Sequence, residues 1–444
     1  MDTTPFKAAS PSFGEATRTF AKIGLLSFGG PAGQIALMHK VLVDEKRWLD
    51  EPRFLHALNY CMLLPGPEAM QLATYAGWLL HGIRGGLMAG LLFVLPGALV
   101  ITALSAIYLT VGHVTLVQGL LFGLKAAVLA VVLEALIKVS KRALKNGLMV
   151  VLAVAAFIAI AFLKLPFPLI IAAAAVIGAL MHLSGAAGSK ASAEADPEIT
   201  YAMPEWTKPS AGRLFSTLGI WLAIWFVPLI VLWQWFGPGH VFTAEATFFS
   251  KMAAVTFGGA YAVLAYVAQQ AVEVHGWLKP DEMLTGLGLA ETTPGPLILV
   301  LVFVGFLGGA RLSTLAPLAG GAAGAMVTLW FTFAPCFLWI FVGAPYVETV
   351  RNVRWLASAL SAVTAAVVGI IANLAVWFAL HVLFGNVDEV NWGPFALPVL
   401  DFGSFDWAAA LIAVAAGVAL IRFHVNMIVV LAVSALAGMA WHLS

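Results

Sequence analysis

The sequence has little charge and almost no cysteine. Of its 444 residues, 10% are charged and 61% are hydrophobic, whereas soluble domains carry about 25% charged residues. A soluble globular domain is therefore excluded, and a net charge of +1 gives no reason to expect a nucleic-acid partner. Cys61 and Cys336 stand at unmatched positions in apolar runs, so neither a disulfide framework nor a metal motif is expected.

Common enzyme motifs are also missing. The sequence contains no His-Glu-x-x-His, no Gly-x-Ser-x-Gly, no paired membrane aspartates and no cofactor fingerprint. An intramembrane enzyme such as a reductase or a protease is therefore disfavoured, and we expect no cofactor and no metal. Residues 1–18 lack a short apolar segment followed by a cleavage site, so they are interpreted as a retained cytoplasmic tail.

Long apolar runs fill most of the chain. They predict an all-α integral membrane protein of about thirteen transmembrane helices, since roughly 20 apolar residues cross the ~30 Å hydrocarbon core. The first half contains six runs, at 18–42, 55–80, 86–109, 114–138, 147–163 and 165–184. A Trp-rich connecting helix follows at 213–236. The second half contains six more, at 246–272, 281–306, 322–345, 355–384, 406–421 and 424–443.

The two halves repeat each other. Two motifs of the first half recur 229 residues later, Ser27-Phe28-Gly29-Gly30 as Thr256-Phe257-Gly258-Gly259 and Pro65-Gly66-Pro67 as Pro294-Gly295-Pro296. Pro96 matches Pro335 at an offset of 239, so roughly ten residues are inserted between 307 and 325. We divide the chain into a first repeat at 1–183, a cytoplasmic linker at 184–212, the connecting helix at 213–236 and a second repeat at 237–444.

The number of spans and the basic residues predict the orientation. Six spans return the chain to its starting side and the connecting helix crosses once more, so the repeats are predicted to be inverted. Loops near 110–113, 237–245 and 384–405 contain no Lys or Arg, which predicts a cytoplasmic N-terminus and a periplasmic C-terminus. The stretch 40–53 has four basic residues on the outer side in this scheme. A neutralised interfacial helix or a re-entrant first segment would account for it.

The repeated motifs break helices. Pro-Gly-Pro cannot continue a helix, and a break at membrane depth survives only where it is buried in protein or lines a cavity. A helix that starts after a break presents free N–H groups and the positive end of its dipole, which bind anions. Four breaks in two symmetric pairs therefore predict one central anion site between the repeats. The alternative is that the breaks only shape the bundle.

The candidate substrate-binding residues are those of the breaks and of nearby charges. They are Lys22, Ser27, Phe28, Gly29, Gly30, Pro65, Gly66, Pro67, Glu68, Lys125, Lys251, Thr256, Phe257, Gly258, Gly259, Thr293, Pro294, Gly295 and Pro296. In this scheme the glycine amides hold the anion and the three lysines offset its charge.

Each charged candidate has a structural alternative. Lys22 and Lys251, at matching positions, are equally able to extend to a membrane face. Lys125 costs about 2.5–3.5 kcal/mol if it is alone at the bilayer centre, which a structural ion pair would relieve. Glu68, whose counterpart is Leu297, could serve only as a helix cap. Two further acids are candidate proton carriers, Glu134 and Glu291.

These motifs resemble those of the chromate ion transporter family, in particular its long two-domain members. The resemblance covers nearly the whole chain except the linker and the termini. It rests on 20–48 with Ser27-Phe28-Gly29-Gly30-Pro31, on Leu64-Pro65-Gly66-Pro67, on 82–86 leading into Pro96-Gly97, and on the second-half copies. The resemblance implies a carrier of the bacterial inner membrane that exports chromate, confers chromate resistance and draws on the proton motive force.

The residues leave the anion and the transport mode open. Sulfate and chromate are both tetrahedral dianions of similar size, so a sulfate or general oxyanion transporter is an alternative. An anion channel that uses the same pore is another. The expected partners are thus chromate or sulfate and the lipid bilayer, with protons as candidate coupling ions, and a homodimer is compatible with the sequence.

Overall fold

A computed structural model describes residues 11–183, 205–257, 260–346, 354–393 and 395–443. The helices of the first half are α1 Phe13–Leu26, α2 Gly30–His39, α3 Glu51–Cys61, α4 Glu68–Val111, α5 Thr115–Ala143, α6 Gly147–Ala161 and α7 Phe167–Leu183. Those that follow are α8 Ala211–Phe236, α9 Val241–Val255, α10 Ala260–Ala268, α11 Pro280–Glu291, α12 Val300–Leu312, α13 Pro317–Gly343, α14 Arg354–Leu383, α15 Trp407–Gly417 and α16 Met427–Leu443. A hairpin of β1 Val387–Trp392 and β2 Phe395–Leu400 lies between α14 and α15.

The all-α membrane class is confirmed. Within the described ranges, five helices are long and apolar enough to cross a membrane: α4, α5, α8, α13 with its following turn, and α14. Four of the predicted spans, 18–42, 55–80, 246–272 and 281–306, are not continuous helices, because each is interrupted at one of the repeated motifs. The breaks expected inside these segments are therefore present, and the count of about thirteen transmembrane helices stays a prediction.

The first interrupted segment folds back on itself. Gly29 adopts the left-handed conformation (φ +86°) between α1 and α2, and a π-helical turn, Lys40–Glu45, extends α2. Lys46 then forms an ion pair of 2.9 Å with Glu15, near the start of α1. Each arm rises about 20 Å at 1.5 Å per residue, so this contact requires that the chain return to its starting side. The segment is therefore a helical hairpin, and this geometry favours the re-entrant alternative for the basic residues at 40–53.

A sharp kink divides α4 into two helices. His81 and Gly82 have non-helical dihedral angles, and the arms at 68–80 and 83–111 pack against each other in opposite directions. A Cβ at Gly77 would overlap the carbonyl group of Gly85. Glycine at these contacts lets the two backbones approach closely, as is common in membrane helix pairs.

The second half contains the same helical hairpin in a longer form. Gly305 packs on Gly324 and Gly309 packs on Gly320, so α12 and α13 run antiparallel around the turn at 313–316. Compared with the first half, each arm is longer by about one helical turn. The roughly ten-residue insertion inferred from the sequence thus lengthens this hairpin.

The last long helix of each half packs against the short helices of the other half. α5 lies against α15 and α16, and α14 lies against α6 and α7. Small residues make the approach close: Gly123 meets the backbone at Ser434, and Gly178 meets α14 at Ala362. The two halves are therefore interlocked rather than stacked side by side.

Candidate functional site

The four breaks meet in crossed pairs. The N–H of Gly66, in the first Pro-Gly-Pro, donates to the carbonyl oxygen of Thr256 at 2.9 Å. The N–H of Gly295, in the second Pro-Gly-Pro, donates to the carbonyl oxygen of Ser27 at 2.8 Å. Each proline break is thus tied to the Phe-Gly-Gly break of the opposite half. The two glycine amides are already engaged, so they cannot hold an anion without losing these hydrogen bonds.

The packing around the breaks is reciprocal as well. Gly66 (φ +120°) lies against Cys336, which follows Pro335 in α13. Gly295 (φ +94°) lies against Gly97, which follows Pro96 in α4. A Cβ at Gly97 would overlap the carbonyl oxygen of Pro294. The two cysteines are both buried and unbonded to each other, and Cys336 serves here as a small packing residue.

Two buried glutamines hold the breaks in place. The side-chain amide of Gln34 donates to the carbonyl oxygens of Gly295 at 2.6 Å and Ser27 at 3.3 Å. The amide of Gln71 donates to the carbonyl oxygen of Pro65 at 2.7 Å. The Oε1 atoms of both glutamines are buried and have no hydrogen-bond partner among the described residues. Sequence reasoning missed these residues, although each stands five positions after a break glycine, Gly29 or Gly66.

The other motif residues surround the crossing. The hydroxyls of Ser27 and Thr256 are buried and donate to the carbonyl oxygens of Ile23 and Met252 at 2.6 and 2.5 Å. Pro65, Pro67, Thr293, Pro294 and Pro296 are buried, and Phe28 and Phe257 are half-buried. Gly258 and Gly259 lie outside the described residues. The structure therefore brings the described parts of all four motifs to one place.

The space around the helix starts differs from one break to another. Gly29 is exposed, and among the described residues no atom beyond the adjoining backbone lies within 4 Å of where a Cβ on Gly29 or Gly30 would stand. The N-terminus of α2 consequently faces open space, and no side chain caps it. The N-termini of α4 and of the 3₁₀ turn Leu297–Leu299 have no side-chain cap either.

Comparison with known proteins assigns a family. A family described as "Chromate transporter" matches residues 14–179 and 244–439. The chain belongs to the chromate transporter family. A Pseudomonas aeruginosa protein named "Chromate transport protein" is 31% identical over 353 residues, covering 79% of this chain and 77% of that protein. A Cupriavidus metallidurans protein of the same name is 27% identical over 360 residues, 81% of each chain. No solved structure matches.

Membership also decides the general class. The chromate transporter family is a family of membrane transporters, so the chain is not an enzyme. A Synechococcus elongatus protein named "Probable chromate transport protein" is 28% identical over 370 residues, which cover 82% of this chain and 84% of that protein.

The lysines of this chromate transporter do not point into the crossed breaks. Lys22 and Lys251 are exposed on α1 and α9, and no hydrogen bond or ion pair is found for either within the described ranges. The Nζ of Lys125 lies 3.7 Å from the carboxylate of Asp281, in the first turn of α11. About 15 Å of helix separates that turn from the far end of α11, where the break begins. The structural ion pair considered for Lys125 is therefore present.

The carboxyls of this chromate transporter lie closer to the breaks. Glu68 opens α4 directly after Pro67, and its buried Oε2 has no hydrogen-bond partner in the part of the chain that the structure describes. Glu291 ends α11 two residues before Thr293, and its Oε1 accepts a hydrogen bond of 2.6 Å from the hydroxyl of Tyr261. Neither Glu291 nor Tyr261 has a counterpart in the first half, where Met62 and Ala32 stand.

A third buried acid was not considered from the sequence. Glu245 on α9 is fully buried, and neither of its carboxyl oxygens has a hydrogen-bond partner within the described ranges. It lies against Gly308 of α12 and Gly324 of α13, and its counterpart in the first half is Ala16. Its only signal in the sequence is an acid twelve positions before Phe257, where the second Phe-Gly-Gly motif begins.

A separate cavity of about 270 Å³ lies between α6, α14 and the β-hairpin. Its lining includes Lys164, Glu273 and Asp388, together with His381. Because these charges are of both signs and no break residue lines the cavity, we do not assign it as the anion site of this chromate transporter.

Proposed function

We propose that the protein exports chromate from the bacterial cytoplasm across the inner membrane and so confers chromate resistance. The crossing of the four helix breaks at the centre of the fold is the observation that carries this proposal. Broken helices at a repeat interface are the usual substrate site of secondary transporters. The chromate transport proteins similar to this chain support chromate as the anion.

The anion in this proposal is held by helix starts rather than by the break glycines. The amides of Gly66 and Gly295 are engaged in the crossed bonds, whereas the first turns of α2 and α4 present amides without side-chain caps. The open space in front of Gly29 and Gly30 gives an oxyanion room to approach. Uncapped helix N-termini bind anions through these amides and through the helix dipole.

Transport in this proposal occurs by alternating access between inverted repeats. The proposed repeats are 1–183 and 237–444, joined by a cytoplasmic linker at 184–212 and by the crossing helix at 213–236. The reciprocal contacts of the breaks and the exchanged packing of the short helices support a two-fold relation between the halves. Rocking of one repeat against the other would open the central site to either side.

The membrane potential favours export of a dianion. With an inside-negative potential, expelling two negative charges is downhill by about 4.6 kcal/mol per 100 mV. Coupling to a proton is therefore not needed to explain export. The N-terminus is cytoplasmic and the C-terminus periplasmic in this proposal, as the basic residues of the loops suggest.

Chromate uptake into inverted membrane vesicles tests the proposal. The vesicles would contain the full chain, with sulfate as a competitor and with or without an uncoupler. We expect saturable uptake that the uncoupler lowers, because respiration makes the lumen of such vesicles positive. Inhibition by sulfate would indicate a general oxyanion carrier. Flux that never saturates would favour a channel, and no uptake above empty vesicles would contradict the proposal.

A further inference from the structure

The charges nearest the crossed breaks have the same sign as the proposed substrate. Glu68 starts α4 and Glu291 ends α11, on either side of the crossing. The lysines that the sequence offered as counter-charges lie on exposed helix faces or pair with Asp281. A dianion bound at the crossing would therefore meet two carboxyl groups, and at least one of them must lose its charge for the anion to enter.

The helix dipoles distinguish the two carboxyls. Glu68 lies at the N-terminus of α4, where the positive end of the dipole stabilises a carboxylate. Glu291 lies at the C-terminus of α11, where the negative end of the dipole opposes a carboxylate. Glu291 is also only 4% exposed, so water does not screen its charge. Of the two, Glu291 is the group that the fold favours in its neutral form.

The surroundings of Glu291 suit a group that gains and loses one proton. Tyr261 on α10 donates to its Oε1, which leaves the other carboxyl oxygen to carry a proton. From α5, Glu134 and Lys138 are close enough to act on it electrostatically. Within the described residues, α12 and the 3₁₀ turn before it bring no further charged group near this carboxyl.

Two charged groups near the end of α5 lie within electrostatic range of Glu291. Lys138 forms an ion pair of 2.6 Å with Glu134 one turn earlier, and their side chains are 68% and 19% exposed. Glu134 in turn interacts with Glu291 and Tyr261. Exposure thus falls stepwise from Lys138 through Glu134 to Glu291, as expected for a proton path that begins at solvent and ends at the breaks.

We propose that Glu291 is the proton-binding site that controls anion binding, and that an oxyanion binds at the crossed breaks only when Glu291 is protonated. This inference rests on the proposed function. The neutral acid removes a negative charge from the site and offers an O–H donor to the anion. The first half has Met62 and Ala32 in place of Glu291 and Tyr261, so this proton site occurs once in the molecule. One proton therefore accompanies each anion in this inference. The dianion and the proton together then cross the membrane with a net charge of −1.

Chromate binding to the purified full-length protein as a function of pH tests the inference. We expect the dissociation constant of the wild-type protein to rise about tenfold per pH unit above the pKa of Glu291, since binding takes up one proton. In Glu291→Gln this part of the pH dependence should disappear. Chromate itself also binds protons, but its protonation is the same for every variant, so the difference between variants isolates the protein group.

Two further variants make the experiment decisive. Glu245→Gln neutralises another buried carboxyl away from the breaks and should keep the wild-type pH dependence.

Tyr261→Phe removes the hydrogen bond that stabilises charged Glu291, so it should move the midpoint of the pH dependence to higher pH. This variant tests the inference even where Glu291→Gln does not fold. A Glu291→Gln protein with the wild-type dependence, or an unmoved midpoint in Tyr261→Phe, would overturn the inference while leaving the proposed function intact. A wild-type protein that binds no chromate at any pH would instead contradict the proposed function.

Discussion

At the scale of single residues, two glycines join the halves of the molecule. Gly66 and Gly295 each combine a positive φ with an amide that bonds to the opposite half. Positive φ is strained for any residue with a Cβ, and the surroundings leave no room for one. A Cβ on Gly66 would stand 2.9 Å from both Cys336 Sγ and Gln71 Nε2. Glycine is therefore required here by conformation and by packing together.

Replacing Gly66 tests this requirement. We expect Gly66→Ala to lower the free energy of unfolding by about 1–3 kcal/mol, the cost of a strained backbone conformation, with a further loss from the contact with Cys336. Thermal unfolding of the purified protein in detergent would measure it. Gly212→Ala is the matched control, because Gly212 lies in a helix with nothing within 4 Å of its Cβ position. Equal melting temperatures for the two variants would contradict the argument.

Sequence reasoning found the breaks but not how they are paired. Pro-Gly-Pro and Phe-Gly-Gly are local signals, since proline and glycine interrupt a helix wherever they stand. The bond from Gly66 to Thr256 joins residues 190 positions apart, and no local propensity encodes it. The orientation of a lysine side chain also depends on residues that are distant in the sequence. Lys125 is a predicted site residue, and no local pattern predicts that its Nζ lies 3.7 Å from the carboxylate of Asp281, a residue of the other half.

At the scale of elements, the first interrupted segment forms a helical hairpin, which we predict to be re-entrant rather than spanning. Hydrophobic length alone predicted that 18–42 crosses the membrane, because a window of apolar residues does not show whether the chain reverses inside it. The reversal depends on Gly29 and on the contact between Lys46 and Glu15. Only the misplaced basic residues at 40–53 indicated it in the sequence.

Cysteine accessibility measures the reversal directly. In a background with Cys61 and Cys336 replaced, Ser12→Cys and Asp44→Cys should react with a membrane-impermeant thiol reagent from the same side. His113→Cys, in the loop after α4, should react from the opposite side and serves as the control. All three positions are exposed in the structure. Labelling of positions 12 and 44 from opposite sides would show that the first segment spans the membrane.

At the scale of the whole molecule, the two halves share a scaffold but differ in charge. The crossed bonds and the exchanged short helices are reciprocal, whereas three buried or half-buried acids, Glu68, Glu245 and Glu291, have Leu297, Ala16 and Met62 as their counterparts. Symmetry in the backbone favours two conformations of similar energy, as alternating access requires. Each of these acids therefore places a titratable carboxyl group at one position of the scaffold and none at the equivalent position of the other half.

Inversion of the repeats is the last property that the reciprocal contacts suggest. If α8 crosses once between two inverted halves, the second re-entrant hairpin enters from the side opposite to the first. Gly239→Cys and Val274→Cys, exposed positions flanking α9 and α10, should then react with the impermeant reagent from the periplasmic side. Ser12→Cys in the same background should react only from the cytoplasmic side. Reaction of positions 12, 239 and 274 from one side would mean parallel repeats, and the central site could then not open alternately by exchange of equivalent hairpins.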